Sequence, residues 1–143
     1  MAQNIEVQIQ RILMGRLTHG RDLLEELTEM CEAQQVRLGR LEAIGAVQSA
    51  RVGFYDQRNQ KYSFVTLDQP LEIVSLVGNI ALKDGKPFVH AHITLADAAG
   101  KAYGGHLAPG TIVFAGEFVL VQFKGPDLFR VPDQQTGLQL WQL

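Results

Sequence analysis

The sequence contains a single cysteine, Cys31, among 143 residues. One thiol closes no internal disulfide and builds no thiolate metal cluster, so a reducing setting, the cytoplasm, is expected. Long apolar runs are also missing. No window approaches the roughly 20 apolar residues of a membrane span. The opening "MAQNIEVQIQRILMGRL" has no basic flank leading into an unbroken apolar core, which predicts a soluble chain without a cleaved leader. Neither sign of charge dominates: 13 Lys+Arg against 15 Asp+Glu gives a net charge of −2. The global positive field that carries nonspecific nucleic-acid binding is therefore absent. There is no Gly-x-Ser-x-Gly elbow, no Walker-type phosphate loop, no repeat and no low-complexity linker. What is left is one unit over 1–143. Its 46% hydrophobic and 20% charged residues are a globular balance.

Within that unit, "QIQRILMGRL" reads as a first strand interrupted by Gly15. The spacing then changes: Leu23, Leu24, Leu27, Met30 and Cys31 recur at three and four residues, an amphipathic helix with Glu25, Glu26, Glu29 and Glu32 on its other faces. Asp22 and the nearby glutamates suit the positive helix N-terminus. From "VRLGRLEAIGAV" onward the pattern is strand and turn, with "DQRNQ", "LDQP" and the Asp-Gly of "KDGK" as punctuation. The expected class is α+β, an antiparallel sheet with one main flanking helix. "TIVFAGEFVLVQF" is apolar on both faces, through Ile112, Val113, Phe114, Phe118, Val119, Leu120 and Val121. An antiparallel strand with one wet face should alternate. Its second face is therefore expected to be covered, by another layer of this chain or by a subunit interface.

Three of the four histidines fall in "PFVHAHITLADAAGKAYGGHL". Side chains alternate along a strand, so His90, His92 and Thr94 share one face while Val89, Ala91, Ile93 and Leu95 form the core face. A hairpin with Ala98 and Ala99 at its tip puts His92 opposite Gly105. A glycine bulge at Gly104-Gly105 then brings His106 onto the histidine face. Three neutral imidazoles with an open fourth position are the ligand set of a catalytic-type zinc site, and iron, nickel, copper and manganese also accept imidazole. A lone His-x-His is more often an ordinary polar strand face. The third histidine, at a spacing one hairpin explains, is what raises His90, His92 and His106 to a candidate metal site.

His19, at the helix start, reads as a capping or turn residue rather than a fourth ligand. Glu72 and Glu117 each interrupt an apolar strand. Either could act as a general acid or base, or orient a histidine. Equally, either could pair with Arg16, Arg40 or Arg51 inside an interface. No catalytic residue is assigned.

The blocks "RLTHGRDLLEEL", "IGAVQSARVGFYD", "PLEIVSLVGNIAL", "KDGKPFVHAHITLADAAGKAYGGHL" and "GEFVL" resemble, in content and order, the plants-and-prokaryotes-conserved (PPC) domain family over about residues 10–123. The resemblance implies a homotrimer and a fold similar to acetolactate decarboxylase, whose zinc is held by a His-x-His pair and a further histidine. Plant members carry AT-hooks, bind DNA and use a Gly-Arg-Phe-Glu-Ile-Leu segment for partner contacts. Here that segment reads Gln69-Pro70-Leu71-Glu72-Ile73-Val74, and no AT-hook exists. The expectation is a homotrimeric domain that binds a transition metal, zinc first, through His90, His92 and His106, with a small-molecule ligand. The alternative is a DNA-associated regulatory scaffold, which the charge balance does not favour.

Overall fold

A computed structural model describes residues 1–143. The chain folds as β1 (Gln8–Leu17), α1 (Leu23–Ala33), β2 (Gly39–Asp56), β3 (Lys61–Leu67), β4 (Leu71–Lys83), β5 (Lys86–Ala96), β6 (Ala102–Leu107), β7 (Ile112–Lys124), β8 (Arg130–Pro132) and β9 (Gln139–Trp141). This is the α+β architecture expected, with one helix and an antiparallel seven-stranded sheet in the order β1-β7-β2-β4-β5-β6, β3 pairing with β2.

The sheet curls because β2, at 18 residues, outruns its neighbours and changes partners. Its first half lies between β7 and β4. Its second half pairs with β3 and meets β6 through Val52↔Leu107 and Gly53↔His106. Gly45, at φ +146° beside a register shift, marks the bend. A Cβ there would lie 2.3 Å from the Ala115 carbonyl oxygen, so the close approach of β2 and β7 requires glycine.

The helix closes the concave side. Leu23, Leu27 and Cys31, one turn apart, are fully buried in the same core as Leu41, Leu76, Val89, Ile93, Leu95 and Leu120. Asp22 caps the helix: its Oδ1 accepts from the Leu24 and Glu25 N–H groups, both at 3.0 Å, and its Oδ2 accepts from Gly110 N–H at 2.6 Å. One carboxylate thus satisfies the helix N-terminus and ties it to the turn before β7.

One expectation is corrected here and a second is narrowed. β1 is not interrupted at Gly15; it pairs with β7 through to Leu17, and Gly15 leaves the space that the Phe118 ring fills. No second layer of this chain covers the outer face of β7, where Phe114 is 56% exposed. That face continues across the sheet through Ile12, Met14, Ile44 and Val77, all exposed.

Beyond β7, Leu128 is buried against Leu38 and Ala81 and its carbonyl accepts from Leu82 N–H at 2.8 Å. This anchor launches the β8–β9 hairpin back toward β4 and β5.

Candidate metal centre

His90 and His92 project from the outer face of β5, as the two-residue period requires, and His106 joins them from β6. Ring centroids are 5.2 Å apart for His90–His92, 5.0 Å for His90–His106 and 5.7 Å for His92–His106. One nitrogen from each ring lies within 4.8 Å of the other two.

The route to this convergence differs from the expected one. His92 pairs directly with His106, not with Gly105, and there is no bulge between β5 and β6. The turn is one residue longer than supposed and spans 97–101, with Gly100 at φ +76°. Asp97 organises it: its Oδ1 accepts from Ala99 and Lys101 N–H groups, both at 2.9 Å. The paired glycines serve a different purpose. Gly104 and Gly105 are packed against backbone: a Cβ at Gly105 would sit 2.7 Å from the Gly53 carbonyl oxygen of β2, and one at Gly104 would sit 2.8 Å from that of Ile93.

Two of the imidazoles, His90 and His106, are held neutral. Burial, with Arg130 and the other two rings adding to it, pushes His90 down to about 4, and burial followed by the His92 and Arg130 charges lowers His106. His106 Nδ1 is buried with no hydrogen-bond partner. Three imidazoles with no carboxylate among them, one carrying a buried and unpartnered nitrogen, are a donor set that fits a borderline-soft cation such as zinc. The cluster opens on a cleft of about 740 Å³ lined also by Phe54, Tyr55, Tyr62 and Gln135. Tyr62 lies against His106 with centroids 4.9 Å apart.

Glu72 and Glu117 do not line this cleft. Both are exposed on the outer face, and neither makes an ion pair within the chain. Of their expected partners, Arg40 pairs with Glu42, Arg51 stacks over the Phe64 ring at 4.0 Å, and Arg16 is opposite Glu117 in register without an ion-pair contact. His19 lies in the turn before the helix, not at its cap: Nδ1 is 2.8 Å from the Phe114 carbonyl oxygen and Nε2 is 3.2 Å from Gln48.

Sequence reasoning missed Arg130. It lies on β8, past the end of the resemblance, and the hairpin carries its guanidinium to the back of the cluster. There Nη2 donates to Asn79 Oδ1 at 2.7 Å and lies 3.2 Å from His90 Nδ1, while Nη1 donates to the Gln139 carbonyl at 3.0 Å. An arginine between Phe129 and Val131 carries no local signal; only tertiary folding brings it to His90.

A curled antiparallel sheet closed by one helix, with a His-x-His strand facing a third histidine, defines a small α+β histidine-cluster domain. The chain belongs to the Plants and Prokaryotes Conserved (PCC) domain family, whose pattern residues 4–124 match. It is similar to a metal-containing protein from Archaeoglobus fulgidus at 39% identity and TM-score 0.94, covering 99% of this chain and all of that one. A plant- and prokaryote-conserved protein from Pyrococcus horikoshii gives 31% and 0.92, covering 100% and 98%. It is also 36% identical over 124 residues to a Synechococcus "Bifunctional protein GlmU", a match over 85% of this chain but 18% of that protein. The chain thus spans about a fifth of the length of the curated relatives it matches.

Two further structures bear on expectations stated above. Acetolactate decarboxylase from Bacillus subtilis shares the fold alone, at 11% identity and TM-score 0.58 over 87% of this chain and 57% of that one. A Ralstonia eutropha protein provisionally named as DNA-binding matches at 28% and 0.81, covering 91% and 90%.

Proposed function

We propose that this chain is a metal-binding protein of the PCC family, with His90, His92 and His106 as ligands, zinc as the metal and a small molecule as the further ligand. The observation that carries the reading is the convergence of one nitrogen from each of three rings within 4.8 Å, together with a buried nitrogen of His106 that has no hydrogen-bond partner. Neutral imidazoles are metal ligands without further proton loss, and burial keeps His90 and His106 neutral at pH 7. The Archaeoglobus relative, 39% identical along its whole length and named for its metal, points the same way. A zinc ion held here would supply Lewis acidity toward a carbonyl group in the cleft. The chain's own part is to fix three rings on two paired strands and to shield them from one side with the β8–β9 hairpin.

A homotrimer in the cytoplasm completes the reading. Its support is the apolar outer face through Met14, Ile44, Val77 and Phe114, too large a set to be scattered surface residues. DNA association, which the Ralstonia name suggests, has weaker support: the net charge is −2 and no lysine or arginine lines the histidine cleft.

Metal content of untagged protein purified without chelator tests the reading. About one zinc per chain is expected, and each of His90→Ala, His92→Ala and His106→Ala should lose it. Full zinc in all three variants would remove the assignment.

A further inference from the structure

The charges around the cluster specify the kind of molecule it takes. The lining of the cleft contains no Asp, Glu, Lys or Arg. Behind His90 stands Arg130, half-buried between the rings of Phe88 and Trp141 at 5.4 and 5.8 Å, with Nε buried and unpartnered. The chain's ion pairs are Arg21–Glu29, Arg37–Asp127 and Arg40–Glu42; none involves Arg130. A half-buried guanidinium without a carboxylate is costly, and one donor already faces nothing.

Metal loading makes the imbalance larger. Arginine only donates, so His90 Nδ1 accepts from Nη2 in the structure. If Nδ1 becomes the ligand, its lone pair is spent. If Nε2 does, the ring proton moves to Nδ1, which can then no longer accept. Either way Arg130 gives up its bond to His90, and a second guanidinium donor is left without a partner beside a dication. No acidic side chain in the cleft offsets the sum.

We infer that the loaded cleft selects a small oxyanion, a carboxylate or phosphoryl group, over neutral molecules of the same shape, with Arg130 as the residue that sets this preference. The inference rests on the metal reading above and names the ligand class for the same site. Arg130 acts as a positioning charge from behind His90 and is assigned no chemical step. Its anchoring of the hairpin through Asn79 and Gln139 is a separable, structural duty.

The test is calorimetric titration of zinc-loaded protein, after its zinc content is measured, with lactate, its uncharged analogue lactamide, and inorganic phosphate. An oxyanion should bind at least about tenfold tighter than lactamide, a preference that falls as ionic strength rises. Lactate above phosphate identifies a carboxylic acid ligand; the reverse identifies a phosphoryl one. Arg130→Gln should retain zinc and reduce the preference by at least about threefold, the remainder belonging to the zinc itself. Arg130→Met keeps the stem packed between Phe88 and Trp141 should the glutamine variant misfold. Arg130→Lys and Asn79→Ala, which keep the charge, should keep the preference. Zinc affinity gives a second readout: removing a cation beside a dication should raise it by at least about threefold, whereas mere loosening of the hairpin would lower it. Equal binding of lactamide, or an unchanged preference in both Arg130→Gln and Arg130→Met, overturns the inference while the metal site stands. Wild-type protein that takes up no zinc overturns the metal reading and this one with it.

Discussion

His92 and His106 face each other directly across the β5–β6 ladder, with ring centroids 5.7 Å apart. They stand at one end of a row that crosses six strands, Met14↔Val119↔Glu42↔Val77↔His92↔His106. Residues paired this way share a face. The histidine cluster therefore borders the exposed apolar face, and the two features belong to one surface.

The five-residue turn at 97–101 sets that pairing, so its length is expected to govern metal retention. Deleting Ala99 shortens the turn by one residue, and a one-residue slip moves a side chain to the opposite sheet face. His106 would then point away from His92. Zinc per chain should fall from near one to near zero, while Ala99→Ser keeps it; a fully loaded deletion variant would mean that the register is set elsewhere.

Gly105 should be intolerant of any side chain. A Cβ would sit 2.7 Å from the Gly53 carbonyl oxygen, backbone that cannot turn aside. Overpacking of this kind costs about 1–3 kcal/mol. Gly105→Ala is expected to lower the thermal midpoint by several degrees, whereas Gly85→Ala, with open space around the new methyl and only its φ of +76° to strain, tests backbone conformation alone.

Much of this was legible in the sequence because its causes are local. The helix followed from the four-residue spacing of Leu23, Leu27 and Cys31, and the β4–β5 hairpin from Asp84-Gly85, both of which adopt positive φ. The membership of His90 and His92 on one face followed from alternation. The turn at 97–101 was misjudged by one residue because Asp97 recruits Lys101 N–H through its side chain, a bond that composition does not reveal. The glycines before His106 were read as conformational, yet their reason is space between strands distant in sequence. Arg130 was invisible for the same kind of reason: it reaches His90 across 40 positions. What a residue does through its neighbours in the chain can be read; what it does through neighbours supplied by folding cannot.

The metal-free protein should lose stability in mild acid. His90 ordinarily titrates near 6.5 and in the fold is held at about 4, with His106 displaced in the same direction. As pH falls below 6.5 the unfolded chain takes up these protons and the folded chain does not, so the balance shifts toward unfolding until the folded pKa is passed. The urea midpoint of chelator-treated protein is expected to fall between pH 7 and pH 4.5. It should fall less for His90→Asn, and an equal fall in the two would assign the acid sensitivity to other groups.

The exposed face makes the last prediction. Ile44, 59% exposed, sits with Met14 at 79% and Phe114 at 56% on the side of the sheet that the helix does not cover. Burying these apolar side chains on association gains roughly 25 cal/mol per Å², and a further carboxylate, on a face that already carries Glu42 and, opposite Ile44, Glu117, would meet like charge and have to be desolvated. Ile44→Asp is accordingly expected to convert the proposed trimer, three chains of 15.8 kDa, into single chains, read by sedimentation equilibrium. Because the side chain is exposed in the single chain, the substitution should leave the fold and its helix dichroism intact. Should the dissociated variant also lose zinc that the wild type keeps, the shared surface would have a second meaning: the neighbouring copy would help to close the site that Val77 and His92 border. A wild-type protein that sediments as a single chain at micromolar concentration would instead leave the apolar face to another partner and remove the trimer from the reading.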